Sequence, residues 1–169
     1  VIAGDIYDKA VPSAEAVEVF DRFIAGLNAA LPDAAVMMIA GNHDSGPRIN
    51  CFRSVLSRQN VYMIGQPPRV EGERIEKVTL EDECGPVNFY LLPFVRPSMV
   101  KQLTGVDENG NNLSYDETLR RLIGREEIDL SRRNVIVSHQ FYLPAGTHAE
   151  DVERMDSEIR TVGNIDQVS

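Results

Sequence analysis

An α/β fold, with helices covering a mixed sheet or two sheets, is predicted by three observations. Strand-like and helix-like patterns alternate through the first part of the chain, and alternation of this kind favours a sheet covered by helices. Two short apolar runs, 36–40 and 135–137, read as strands buried on both faces. Between them, 75–80 and 87–92 flank a polar turn as a hairpin-like pair, which an all-parallel sheet would not contain.

The elements follow in order. Residues 1–3 read as the end of a strand already under way, so the chain reads as a piece of something longer. Pro12-Ser13 opens a helix with Ser13 as its N-cap and Glu15 and Glu18 in its first turns. Val17, Phe20, Ile24 and Leu27 place one face of that helix in the core, and Leu31-Pro32-Asp33 ends it. The strand 36–40 comes next. Ile49, Phe52, Val55 and Leu56 predict a second amphipathic helix, and 61–64 a short strand. Gln66-Pro67-Pro68 is a turn, and Pro93 stops the hairpin. The Gly/Asn/Asp-rich stretch 105–112 is a loop, 115–128 a helix with Leu119, Leu122 and Ile123 inward, and 159–162 a short strand.

Composition narrows the function. The 169 residues fit one domain, 1–169, and 43% hydrophobic with 25% charged residues excludes a disordered or collagen-like chain. No apolar run approaches the roughly eighteen residues that span a bilayer. A net charge of −9 argues against holding nucleic acid by bulk positive charge, but leaves room for a local metal site that handles phosphates. Cys51 and Cys84 are too few for a disulfide framework; they read as free, buried or half-buried thiols in a reducing compartment, the cytoplasm.

The chemistry gathers where apolar runs end. The first gives Gly4-Asp5-Ile6-Tyr7-Asp8, the second Gly41-Asn42-His43-Asp44, the third Ser138-His139. In open α/β sheets ligands bind beyond the carboxyl ends of strands, so Asp5, Asn42 and His139 can aim at one point. A carboxylate, an amide oxygen and an imidazole suit a divalent metal such as manganese, iron or zinc. A bridging carboxylate holds two such ions about 3.5–4 Å apart, the geometry that clamps a phosphate during hydrolysis. His43, next to Asn42, points elsewhere, toward substrate. Asp8, three residues after Asp5, is placed to fix the His43 ring and favour its charged form, making His43 a proton donor. His148 lies in an exposed polar loop and reads as structural.

Gly-Asp-x-x-Asp, then Gly-Asn-His-Asp, then a strand ending in Ser-His is similar to the calcineurin-like metallophosphoesterases. Gly4-Asp5-Ile6-Tyr7-Asp8 with Gly41-Asn42-His43-Asp44-Ser45, and the segments 87–94 and 137–141, resemble in particular the SbcD-type DNA repair exonucleases. The resemblance covers 1–166. It implies a four-layer αββα arrangement and a two-metal phosphodiesterase. It makes Asp5 the carboxylate that bridges two ions, Mn2+ by the same resemblance, with Asn42 and His139 as ligands of one, His43 as the catalytic histidine and Asp8 as its partner. It also implies DNA as substrate, an SbcC-type ATPase partner, a homodimer of the intact protein and no membrane. Two further motifs of the family, Asp-x-His and Gly-His-x-His, do not occur in the sequence. The expectation is therefore a domain truncated at both ends and inactive alone. A metallophosphoesterase with a small phosphoester substrate is the alternative. A binding protein on a degenerate phosphoesterase fold is a third reading, disfavoured by the retention of Asp5, Asn42 and His43.

Overall fold

A computed structural model describes residues 1–142. The loop at His148 and the strand expected at 159–162 lie outside the described residues. Two three-stranded sheets form the centre. The first orders β1 (Ile2–Ala3), β2 (Val36–Ile39) and β3 (Val61–Ile64) side by side, all parallel. The second places β5 (Gly85–Leu92) between β4 (Glu76–Asp82), antiparallel to it, and β6 (Arg133–Ser138), parallel to it. The hairpin expected from the sequence is β4–β5.

The alternation of side chains along each strand builds the layers. Met37 and Ile39 of β2 turn inward with Ile64, Val78, Leu91 and Val137, so the two sheets pack face to face. Val36 and Met38 turn the other way, with Val61 and Met63, onto Phe20, Ile24 and Leu27 of helix α1 (Ala14–Ala30). Tyr90 and Leu92 on the outer face of the second sheet meet Val100, Leu119 and Leu122. The result is helix, sheet, sheet, helix. Ser13 caps α1 as expected, its hydroxyl accepting from the Ala16 N–H at 3.2 Å.

Several elements differ from the sequence reading, each for a local reason. The second amphipathic helix is broken into two single turns, α2 (Gly46–Ile49) and α3 (Arg53–Leu56), followed by a 3-10 turn (Ser57–Gln59). Asn50 accepts from the Gly65 N–H at 2.7 Å and donates to Gln66 at 3.3 Å, tying the segment to the end of β3. Gly46 and Gly65 approach so closely that a Cβ on either would collide with the other's carbonyl. Tertiary contacts therefore shape this stretch. Phe52 sits at φ +61 between the turns, 73% exposed.

A helix the sequence reading lacked, α4 (Pro97–Thr104), starts with proline at its first position, where the missing N–H costs nothing, and buries Val100 and Thr104. The next helix, α5 (Tyr115–Gly124), stops four residues short of 128. Beyond it the chain tightens to bonds three residues back, and Glu126 accepts from the Ile75 N–H at 3.0 Å. The strand expected to be buried on both faces, β6, is an edge strand. Val137 is buried, but Val135 and Ile136 are exposed because β6 pairs with β5 alone among the described residues. Cys51 and Cys84 are both free, as expected, but exposed rather than buried, Cys84 because it lies in the β4–β5 turn. Among the described residues no helix is long and apolar enough to cross a membrane.

Candidate metal centre

The ends of β1, β2 and β6 meet at one point. Leaving β1, the chain takes two successive residues with positive φ, Gly4 at +103 and Asp5 at +48. Asparagine and aspartate tolerate this conformation better than most residues, but it still costs about 1–2 kcal/mol. The cost is met at a turn that delivers the Asp5 carboxylate. Its Oδ1 accepts from the His43 N–H at 3.1 Å, and its Oδ2 lies 3.5 Å from His139 Nε2. Two glycines make this approach feasible. A Cβ on Gly4 would run into the His139 imidazole, and one on Gly41 into the Asp5 carboxylate and amide.

Asp44 locks the first loop to the second. Its carboxylate accepts from Ile6 N–H at 2.9 Å, Tyr7 N–H at 2.9 Å and Gly41 N–H at 2.8 Å. Three main-chain donors on one carboxylate fix both turns at once. The same negative charge, after the larger effect of partial burial, holds the Tyr7 phenol above its usual pKa. Sequence reasoning quoted Asp44 within its motif without giving it this work. Its position three residues after Gly41, where an aspartate can accept from a preceding turn N–H, was the available signal.

The two histidines are oriented alike. His139 Nδ1 is 2.7 Å from the Ala3 carbonyl, and His43 Nδ1 is 3.1 Å from the Asp8 carbonyl. A carbonyl can only accept, so each ring carries its proton on Nδ1 and turns Nε2 outward. Asp8 thus reaches His43 through its main-chain oxygen and not through its carboxylate. The ring is held by a main-chain oxygen where the sequence reading expected the Asp8 carboxylate.

His139 Nε2 lies 3.0 Å from Asn42 Oδ1 and 3.5 Å from Asp5 Oδ2. In its neutral form, with the proton on Nδ1, the ring presents a lone pair on Nε2. An amide oxygen and a carboxylate oxygen face that lone pair, so three electron-pair donors converge. A cation resolves this crowding, and the donor set of carboxylate, amide and imidazole suits an intermediate divalent metal. The residues therefore fit a metal ion. Side-chain exposures of 39% for Asp5 and 27% for His139 leave the point open to solvent and substrate. Among the described residues no three His, Cys, Asp or Glu side chains cluster, so the set is one carboxylate, one imidazole and one amide. The structure brings together Asp5, Asn42 and His139, sets His43 beside them through the Asp5 bond, and joins Asp8 to His43.

The family model described as calcineurin-like phosphoesterase matches residues 1–159, so the chain belongs to the calcineurin-like phosphoesterases, a family of metal-dependent hydrolases. It is 27% identical over 170 aligned residues to the SbcD subunit of the nuclease SbcCD of Staphylococcus epidermidis, an alignment that covers 99% of this chain. The chain spans 41% of the length of that relative.

Proposed function

We propose that this chain forms part of a metal-dependent DNA nuclease that works with an SbcC-type ATPase in the cytoplasm, the intact protein acting as a homodimer. The observation that carries the reading is the convergence of Asp5, Asn42 and His139 Nε2 at the ends of three strands. The likeness to one component of a nuclease over nearly the whole chain supports DNA as the substrate.

In this reading Asp5, Asn42 and His139 would hold the metal, with Asp5 shared between two ions if both are bound. Two Mn2+ ions would supply an activated water and positive charge for the phosphate as charge develops on it. His43 stands beside them, its ring held by the Asp8 carbonyl, with Nε2, which has no partner among the described residues, placed to carry a proton to the leaving oxygen. Asp8 positions the ring, and Asp44 holds the loops that carry both sets of groups.

The test compares two proteins on linear duplex DNA with manganese. The full-length gene product with its ATPase partner is expected to cleave, and Asp5→Ala to abolish cleavage. Residues 1–169 alone, which contain neither Asp-x-His nor Gly-His-x-His, are expected not to cleave. A full-length product that hydrolyses a chromogenic phosphodiester but leaves DNA intact would overturn the nuclease reading and favour a small phosphoester substrate. Robust cleavage by residues 1–169 would show that the ligands in hand suffice.

A further inference from the structure

Beside the metal centre, and separate from it, a cavity of about 520 Å³ opens between β3, the edge strand of its sheet among the described residues, and the start of β4. Its lining includes Phe52, Tyr62, Ile64, Ser57 and the Arg53–Glu76 ion pair, closed at 2.6 Å. One end of it, at Ile64 and Glu76, lies toward the strand ends that carry the candidate metal centre. Glu76 pairs with Leu91, and Leu91 with Val137, two residues before His139. Ile64 pairs with Ile39, three residues before Asn42. Across the first sheet the cavity is two strands from β1, roughly 10 Å at the usual strand spacing.

The lining selects the occupant. Among the described residues Arg53 and Glu76 are the only charged ones in it, and they neutralise each other, so a phosphate gains nothing by entering. Phe52 and Tyr62 offer aromatic surface, with the buried Ile64 behind them, while Asn50, Ser54, Ser57 and the ion pair supply polar groups. Phe52 presents its ring largely to solvent from a left-handed backbone position, a combination that packing among the described residues does not account for. A neutral, planar, heteroaromatic group with hydrogen-bonding edges fits this chemistry.

We infer that the cavity receives an unstacked nucleobase of the strand whose phosphate reaches the metal centre, with Phe52 as its stacking platform. This rests on the nuclease reading above and adds to it a subsite that engages bases without reading charge. Stacking on an aromatic side chain is sequence-tolerant, because every base has a π-face.

The experiment uses the full-length gene product with chelator present, so that no strand is cut. Fluorescence anisotropy compares a twelve-nucleotide thymidine strand with an abasic sugar-phosphate strand of equal length and charge. The thymidine strand should bind more tightly by between about fivefold and about a hundredfold. Phe52→Asn keeps a residue that accepts the left-handed backbone but removes the ring, and should bring the ratio close to one. Phe52→Trp should restore it. Equal affinity of the wild-type chain for the two strands, or no binding of either, would overturn the inference, as would a Phe52→Asn ratio equal to that of wild type. Duplex cleavage by the full-length product is a separate readout. Cleavage with equal strand affinities retires the base subsite alone, whereas absence of cleavage retires the nuclease reading.

Discussion

Asp44→Ala is expected to destabilise the chain by about 3–5 kcal/mol and to disperse the candidate metal centre. Its carboxylate serves three main-chain N–H groups, two in the loop after β1 and one in the loop after β2. Alanine leaves all three without that partner in a half-buried position, and hydrogen bonds to a charged group are worth about 1.5–3 kcal/mol each. For a domain of this size the loss corresponds to a fall in Tm of roughly 10 °C. Asp44→Asn should recover little, since an amide keeps one acceptor oxygen and turns an NH2 group toward N–H donors. Urea denaturation of wild type, Asp44→Ala and the exposed control Asp33→Ala measures the difference. A loss below about 1 kcal/mol for Asp44→Ala would mean that other contacts hold the two loops.

His43→Ala in the full-length gene product is expected to cut turnover by about 10²- to 10⁴-fold, the usual range for a general acid. Manganese affinity should stay nearly unchanged. The geometry separates the two histidines: His139 Nε2 faces Asn42 and Asp5, whereas the His43 ring is held by Asp8 and meets Asp5 through its main-chain N–H. His139→Ala should therefore lose metal first and activity with it. Steady-state kinetics paired with calorimetric metal titration checks both variants. Loss of metal in His43→Ala with turnover per bound metal retained would reassign that residue to the metal.

The layered fold was legible because buried strands announce themselves. Val-Met-Met-Ile in β2 has no polar face, and the polar turn between two apolar runs marked the hairpin β4–β5. The candidate site was legible because its side chains follow those strands directly, so strand position carries them to one point. What stayed hidden depended on contacts distant in sequence. Phe52 sits at helical spacing with Ile49, Val55 and Leu56, but Asn50 and the Gly46–Gly65 approach bend the chain there, and the aromatic ring ends in solvent. Val135 and Ile136 match a fully buried strand in composition, and only the order β4-β5-β6 reveals the edge. The Asp8–His43 link was foreseen as a residue pair, while the choice of carbonyl over carboxylate depends on loop geometry that sequence does not display.

The central claim is that His139, with Asp5 and Asn42, is the imidazole ligand of a divalent metal, and that His43 is not. Pulsed electron paramagnetic resonance of manganese bound to the full-length gene product tests this most directly, because a directly coordinated imidazole nitrogen modulates the echo. Nitrogen modulation should persist in His43→Ala and disappear in His139→Ala. Modulation that survives His139→Ala, or is lost in His43→Ala, would contradict the assignment.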